Sequence, residues 1–232
     1  MKMTFDLRQI CTIYVLFIFL INSSKAQQEI PLFGFVRIVN TVSPGDGNTN
    51  FSVDQEDIYP TGYQLGQDSG GISMKEGTHA ITVNKNGVRK GTTKIDVVTG
   101  ETTTVIAFAE LVPSLKKDDP PVWIIKLLRL KQNNIDQGYG LTMVSVADTP
   151  ETAVILTIGG KGTRENYTLS RLKYTYVSLG GNRGEVFIKK GNKNLTTVSP
   201  DTPGNYVVVF YEDEKGETAA IYFFDPKFTV AG

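Results

Sequence analysis

The stretch Phe35-Val36-Arg37-Ile38-Val39-Asn40 decides the fold class. It begins a series of short runs rich in Val, Ile, Thr, Tyr and Phe, which Gly, Asn and Pro separate. Its pattern returns in the second half of the chain as Leu141-Thr142-Met143-Val144-Ser145-Val146. After residue 30, no stretch shows a convincing helical periodicity of apolar residues over about 11 or more positions. The sequence therefore predicts an all-β protein.

Two further pairs of runs occur in the same order in both halves of the chain. Gly77–Asn84 is echoed by Gly184–Lys189, and Thr103–Phe108 is echoed by Tyr206–Tyr211. The members of these pairs lie roughly 102 to 107 residues apart, and such a fixed offset indicates an internal repeat. Each half has room for about seven short strands with turn residues between them.

The repeat predicts two tandem immunoglobulin-like antiparallel β-sandwich domains, the first at residues 31–134 and the second at residues 139–228. The polar segment 133–138 links them, and because it is short we expect the domains to rest against each other. Alternate apolar residues are predicted to form the two cores. They are Val36, Ile38, Ile81, Val83, Ile95, Val97, Val105, Trp123 and Ile125 in the first domain, and Met143, Val154, Leu156, Ile158, Val186, Ile188, Val207, Val209, Ile221 and Phe223 in the second.

Residues 1–26 are predicted to be a secretory signal peptide. Lys2 and Arg8 precede an apolar run from Ile10 to Ile21, and Ala26 ends a small-residue cleavage pattern. The run of about 12 residues is too short to span about 30 Å of hydrocarbon. We therefore expect cleavage near Ala26 and a periplasmic or secreted protein without a membrane span.

Cysteine content and charge narrow the class of protein further. Cys11, the only cysteine, falls inside the predicted signal, so the mature chain has no disulfide and no thiolate chemistry. Secreted eukaryotic domains of this kind often carry disulfides, and their absence favours a bacterial envelope protein. The 24 basic and 24 acidic side chains balance. The chain has no basic patch of the nucleic-acid-binding type, so no nucleic-acid partner is expected.

Three runs of the first half resemble a known group of proteins. They are the apolar strand Phe35–Asn40 with its arginine, the run Glu76–Val83, and the turn Thr99-Gly100-Glu101 before a Thr/Val strand. Together they resemble a widespread group of bacterial exported tandem β-sandwich domains of unknown function, and they are similar to the periplasmic F accessory proteins of alginate O-acetylation. The resemblance implies an envelope adaptor or scaffold near polysaccharide modification, and it carries over no catalytic residues.

His79 is the only histidine available as a general base. It has the same strand parity as Ile81 and Val83, so we expect a structural histidine at a strand end that points toward the core. One histidine and no mature cysteine cannot fill the three or four protein positions of a zinc site. No cofactor is expected.

A weak calcium candidate and several loop acids complete the polar residues of interest. Asp46, Asn48 and Asn50 place oxygen ligands at alternate positions. Phe51 stands where a calcium loop requires glycine, so an ordinary turn is the favoured interpretation. The acids Glu56, Asp57, Asp68 and Glu165 lie in predicted loops, but no pattern brings two of them together for glycoside hydrolysis.

Four tyrosines, Tyr59, Tyr63, Tyr139 and Tyr167, are predicted to lie in loops. Their rings could bind a protein or stack on sugars, because a tyrosine offers flat apolar area with a polar handle. The favoured alternative is that they cover the ends of the sandwiches.

These observations lead to one main functional hypothesis and one alternative. The main hypothesis is a non-catalytic envelope adaptor or scaffold that binds another protein. The alternative is a carbohydrate-binding module that uses the loop tyrosines. A hydrolase is the least favoured class, because no general-base geometry is visible in the sequence.

Overall fold

The computed structural model describes residues 32–114, 119–131, 133, 135, 137–159 and 162–226. These residues form sixteen strands and no helix, which confirms the predicted all-β class. They belong to one compact unit. Within the described ranges there is consequently no helix that could span a membrane. The predicted signal peptide, residues 1–26, lies outside the described residues.

The first eight strands form the first sandwich. They are β1 (Phe33–Thr41), β2 (Asp46–Val53), β3 (Glu56–Asp57), β4 (Ile72–Lys75), β5 (Gly77–Asn86), β6 (Val88–Val97), β7 (Thr102–Val112) and β8 (Val122–Lys131). The part β3-β2-β5-β6 continues into β8-β7-β1-β4 through a single pair, Arg89 and Ile124. Apolar residues from both parts meet in one core, so the two parts face each other.

The next eight strands form the second sandwich. They are β9 (Tyr139–Ser145), β10 (Glu151–Ile158), β11 (Thr163–Ser170), β12 (Tyr174–Gly180), β13 (Val186–Lys190), β14 (Lys193–Val198), β15 (Gly204–Glu212) and β16 (Thr218–Asp225). Its two sheets have the orders β11-β10-β13-β14 and β12-β9-β15-β16, which repeat the order of the first sandwich. The chain passes from one sandwich to the other between Lys131 and Tyr139. Of the predicted domain limits, residues 31, 134 and 228 lie outside the described residues.

The strand order differs from that of a constant-type immunoglobulin sandwich. In a constant-type immunoglobulin sandwich the first strand pairs with the second. Here the first strand of each sandwich pairs in parallel with the seventh, as Ile38 does with Val105 and Met143 with Val208. Each sandwich also has eight strands rather than the expected seven or so. Apolar alternation indicates strands but not their partners, so the sequence pattern could not distinguish these orders.

Each sandwich encloses its own apolar core, and most of the predicted core residues lie there. In the first sandwich Val36, Ile38, Ile81, Val83, Ile95, Val97, Val105 and Ile125 are buried, and Trp123 packs against them. In the second sandwich Met143, Val154, Leu156, Val186 and Ile188 are buried, and Ile158 packs against them. The alternation of side chains along a strand accounts for this agreement.

The remaining four predicted core residues lie in a different apolar cluster. Val207, Val209, Ile221 and Phe223 pack against residues of the first sandwich such as Ile106. The inner face of β15 instead carries Tyr206, Val208 and Phe210. The prediction chose the wrong face because β15 is apolar and buried on both sides. The sheets β4-β1-β7-β8 and β12-β9-β15-β16 therefore pack face to face.

Two arginines connect the sandwiches across this interface. Arg37 of β1 donates from Nη1 to the carbonyl oxygen of Phe224 at 2.8 Å, and its guanidinium lies 4.4 Å from the ring centroid of Phe223. Arg171 donates from Nη1 to Glu110 Oε1 at 2.8 Å. Charge-assisted bonds of this kind add directional contacts to the apolar cluster, so the interface resists sliding of one sandwich on the other.

Candidate functional site

His79 is held by acceptors on both sides of its ring. Its Nδ1 lies 2.7 Å from Asp54 Oδ2, and its Nε2 lies 2.9 Å from the carbonyl oxygen of Lys75. Because both partners are acceptors, this geometry favours the doubly protonated ring, in which both nitrogens donate. The hydrogen bond to Asp54 is the main cause that raises the pKa of His79, with burial opposing it. The side chain is only 17% exposed.

The turn between β2 and β3 positions the carboxylate that pairs with His79. Val53 pairs with Glu56, so the hairpin has a two-residue loop. Asp54 and Gln55 in that loop have positive φ angles of 48° and 75°, as in a type I′ turn. Asp54 Oδ1 also accepts a bond from the backbone N–H of Ala80 at 2.8 Å. This bond is the main cause that lowers the pKa of Asp54.

The weak calcium candidates lie along a strand and not in a ligand loop. Asp46, Asn48 and Asn50 belong to β2, which pairs with β5 on both sides of an irregularity between Asp46 and Asn50. The amide of Asn48 donates to the carbonyl oxygen of Thr61 at 2.8 Å. Elsewhere too, the described ranges contain no group of three His, Cys, Asp or Glu side chains placed to hold a metal ion.

The candidate acids are divided among separate places. Glu56 and Asp57 form β3 and line one pocket with Asp54 and His79, whereas Asp68 lies 3.5 Å from the guanidinium of Arg37. Glu165 accepts a hydrogen bond from the hydroxyl of Tyr167 on the same strand. Burial and this carboxylate raise the pKa of Tyr167 to about 12.

The four candidate tyrosines do not form one surface. Tyr59 is exposed in a loop, and its ring centroid lies 5.8 Å from that of Tyr63, which stacks on Phe51. Tyr139 lies in β9 and Tyr167 in β11. Tyr139 is buried in the core of the second sandwich, and Tyr167 packs against that core. The interpretation of loop tyrosines that cover a sandwich end fits Tyr63 best, since its ring stacks on a core residue.

A different pair of tyrosines forms the most exposed aromatic surface. Tyr174 and Tyr176 of β12 are 70% and 43% exposed. They alternate with Val177 and Leu179, which face the core, so both tyrosines project from the outer face of the sheet. We call this pair and the free side of β12 the tyrosine edge.

A groove runs beside the tyrosine edge. Its volume is about 530 Å³, and its lining comprises Leu130, Lys131, Asn133, Ile135, Thr142, Tyr174 and Tyr176. Residues from the end of β8 and from the linker thus face residues of β9 and β12. Lys131 is the one charged side chain in this lining, so the described wall of the groove favours an anionic group.

The unpaired edge of β12 differs in charge from the other unpaired strand edges. Among the described strands, β3, β4, β11, β12, β14 and β16 lie at the ends of their sheets. Five of these carry charged residues, which discourage pairing with other chains. The exposed ones include Glu56 in β3, Lys75 in β4, Arg164 in β11 and Lys193 in β14, whereas Asp225, the one charged residue of β16, is buried. By contrast β12, Tyr-Thr-Tyr-Val-Ser-Leu-Gly, has none.

The sequence did not predict Tyr174 and Tyr176 as a site, because the exposed tyrosines were expected in loops and these two lie in a strand. The signal available was the alternation Tyr174-Thr175-Tyr176-Val177, which is typical of a strand with one solvent face. The position of that strand at the end of a sheet depends on pairing partners that the alternation does not reveal. A scan against protein-family models found no match, and a search of curated proteins found no similar sequence.

Proposed function

We propose that this chain is a non-catalytic exported envelope protein that serves as an adaptor or scaffold and binds a partner protein through the tyrosine edge. The observation that carries the proposal is the combination of two exposed tyrosines with an uncharged strand at the end of a sheet. Aromatic residues are enriched at protein interfaces. An uncharged, hydrophobic free strand is the kind of surface that proteins otherwise protect.

The placement of His79 supports a non-catalytic role. A general base needs a free lone pair within reach of a substrate proton. Both ring nitrogens of His79 instead lie within hydrogen-bond distance of acceptors, the carboxylate of Asp54 and the carbonyl oxygen of Lys75. Among the candidate acids, Glu56 and Asp57 share a pocket with His79, but the carboxylate there that contacts the histidine, Asp54, also accepts a bond from the backbone of Ala80.

The contact between the sandwiches supports a scaffold. Val39, Ile106 and Phe108 of the first sandwich pack against Val207 and Val209 of the second. A continuous apolar interface fixes the relative orientation of two domains far better than a linker does. A partner that binds the tyrosine edge would therefore be held at a set position relative to the first sandwich.

The proposed site of action is the bacterial envelope, in the periplasm or outside the cell. Support comes from the signal-peptide pattern of residues 1–26 and from the absence of cysteine after Cys11 in the sequence. The resemblance to exported tandem sandwich domains supports the proposal of a partner that acts near polysaccharide modification.

A crosslinked pull-down tests this function. The mature chain, residues 27–232, is used as bait in native envelope extract, alongside a Tyr174→Ala/Tyr176→Ala variant. Tyr222→Ala is the matched control, because Tyr222 is 39% exposed on β16 at the opposite end of the same sheet. We expect one partner protein to be retained by the wild type and the control and lost by the double variant. Retention by all three chains, or by none, would contradict the proposal.

Carbohydrate binding is a second candidate function, and the same tyrosine pair favours it. Exposed rings at alternate positions of one strand offer successive flat surfaces about 6.4 to 6.8 Å apart, to which sugar rings could stack. Isothermal titration of the mature chain with neutral and anionic polysaccharides tests this role. Heat of binding that disappears in the Tyr174→Ala/Tyr176→Ala variant would support it, and no heat with any polymer would exclude it for the glycans used.

A further inference from the structure

We propose that the partner of the tyrosine edge is an extended peptide segment that pairs with β12 as an additional strand and places an acidic side chain near Lys131. This inference rests on the proposed function and specifies how the partner is recognised. It distinguishes an added strand from a folded surface that would contact the tyrosines alone.

The main chain of β12 provides the first argument. Among the described strands, β12 pairs only with β9, in antiparallel register from Tyr174 opposite Val144 to Ser178 opposite Gly140. In an antiparallel pair, alternate residues direct their N–H and C=O groups away from the partner strand. The other side of β12 therefore offers a row of hydrogen-bonding groups to a further strand.

The second argument is that the other free strands are less suited to pairing. The strand β3 has two residues and β4 has four, so neither offers a long ladder. Charged Arg164 and Glu165 lie in β11. The strands β14 and β16 pack against each other, and Lys193 of β14 forms an ion pair with Glu217 just before β16. The strand β12 has no charge, and it pairs regularly with β9 over the five residues from Tyr174 to Ser178, before a register shift at Gly180.

The side chains determine which peptide fits. An added strand lies about 4.8 Å from its neighbour, so its outward side chains would lie beside Tyr174 and Tyr176. Aromatic and β-branched residues form the favourable cross-strand pairs with tyrosine. The groove lining contains Lys131 and, among the described residues, no carboxylate. Charge complementarity therefore favours an acidic residue in the segment that reaches the groove.

The test begins with a phage-displayed library of random peptides of about twelve residues, selected on the mature chain. The best peptide is then synthesised in two N-methylated forms, one methylated at even positions and the other at odd positions. Only alternate N–H groups of an added strand point toward β12. We expect one form to lose affinity by at least about tenfold, which corresponds to the loss of one or two hydrogen bonds, and the other to bind as the unmodified peptide does.

Amide hydrogen exchange and strand variants provide independent readouts. Peptide binding is expected to slow exchange at alternate residues of β12. Ser178→Lys, which adds a charge to the exposed side of β12, is expected to weaken binding, whereas Ser178→Thr is not. Circular dichroism and urea unfolding verify that both variants are folded.

Several outcomes would overturn the inference. They are a library that yields no binder, equal affinity of the two methylated forms, and unchanged exchange along β12. If the chain binds only a polysaccharide, the tyrosine edge is a glycan site. If the chain self-associates through β12 in sedimentation experiments, a second copy of the chain occupies the edge. If the pull-down finds a partner that depends on the tyrosines while the two methylated peptides bind equally well, the inference of an added strand is wrong and the proposed function stands. If no partner depends on the tyrosines, the proposed function itself fails.

Discussion

Tyr176 rests directly against the backbone of Gly140 on the neighbouring strand. A Cβ atom added at Gly140 would lie 2.7 Å from Tyr176 Cε2 and 2.2 Å from Ile135 Cδ1. Real Cβ atoms do not approach other atoms this closely, so the glycine leaves the space in which both side chains lie. The absence of a side chain at position 140 thus shapes the groove beside the tyrosine edge.

Gly140→Ala should therefore impair the tyrosine edge, because the added side chain displaces residues that line the groove. The added methyl group must displace Tyr176 and Ile135, and both can move because the atoms concerned are the ends of side chains. We expect weaker retention of the partner with little change in the free energy of unfolding in urea. Gly181→Ala is the matched control, because a Cβ there meets nothing within 4 Å. Equal behaviour of the two variants would show that Gly140 does not shape the site.

The His79–Asp54 pair should make stability depend on pH. The folded-state pKa of His79 is raised above its ordinary value, so its contribution is complete below the unfolded value of about 6.5 and is lost as pH rises through the folded value. The pKa of Asp54 is lowered, so its contribution is present above about 3.9 and is lost as pH falls through its folded value. The pair therefore contributes most between about pH 4 and pH 6.5.

Urea unfolding of the wild type and His79→Gln across pH 4 to 9 measures this effect. The difference in unfolding free energy is expected to be largest near pH 5 to 6 and to shrink above that range. In an Asp54→Asn background the same substitution should show a much weaker pH dependence, because the charge partner is gone. A difference that does not change with pH would refute the assignment of an imidazolium.

Asp225 should destabilise the folded chain at neutral pH. It is 4% exposed, and burial raises its pKa to about 6 although Arg37 and Asn205 oppose the shift. The folded state therefore holds its proton more tightly than the unfolded state does, and this contribution is lost as pH rises through about 6. Oδ1 of Asp225 has no hydrogen-bond partner among the described residues.

Asp225→Asn is expected to raise the free energy of unfolding more at pH 8 than at pH 4. The difference between the two pH values should reach at most about 3 kcal/mol, because one pKa unit corresponds to about 1.4 kcal/mol. Asp201→Asn, at an exposed carboxylate before β15, should change stability by less than about 0.5 kcal/mol at either pH. A destabilised Asp225→Asn chain at pH 8 would mean that the electrostatic attraction of Arg37 outweighs the cost of burial.

Arg37→Ala should weaken the contact between the sandwiches. The substitution removes the bond to the Phe224 carbonyl, the contact with the Phe223 ring and the ion pair with Asp68. Loss of a hydrogen bond to a charged group costs about 1.5 to 3 kcal/mol. Arg89→Ala, at an exposed arginine of β6, serves as the control in urea unfolding. A loss below about 1 kcal/mol would show that the apolar cluster alone fixes the interface.

The agreement between sequence and structure was best where one face of a strand is apolar. Ile81 and Val83 alternate with polar residues, and both lie in the predicted core. The agreement failed at β15, where Val207, Val208 and Val209 are all apolar and all fully buried. A strand covered on both faces has no polar side to reveal its orientation, so the contact between the sandwiches could not be assigned to these residues.

The candidate site was less predictable than the cores. Tyr174 and Tyr176 have the pattern of any strand with a solvent face, and Tyr139, expected in a loop, is buried in β9. The pattern around an exposed tyrosine does not say whether its strand lies at the centre or at the end of a sheet. That position depends on residues about 30 positions away, such as Val144 opposite Tyr174.

The sequence by itself established the all-β class, the alternation that fills the two cores and the order of the repeated runs. These properties are local, because side-chain direction along a strand depends only on the parity of neighbouring residues. Strand pairing, the face-to-face contact of the sandwiches and the free side of β12 emerged only in the folded chain. They arise from contacts between residues distant in sequence, such as Arg37 with Phe224, and no local pattern encodes which distant partners meet.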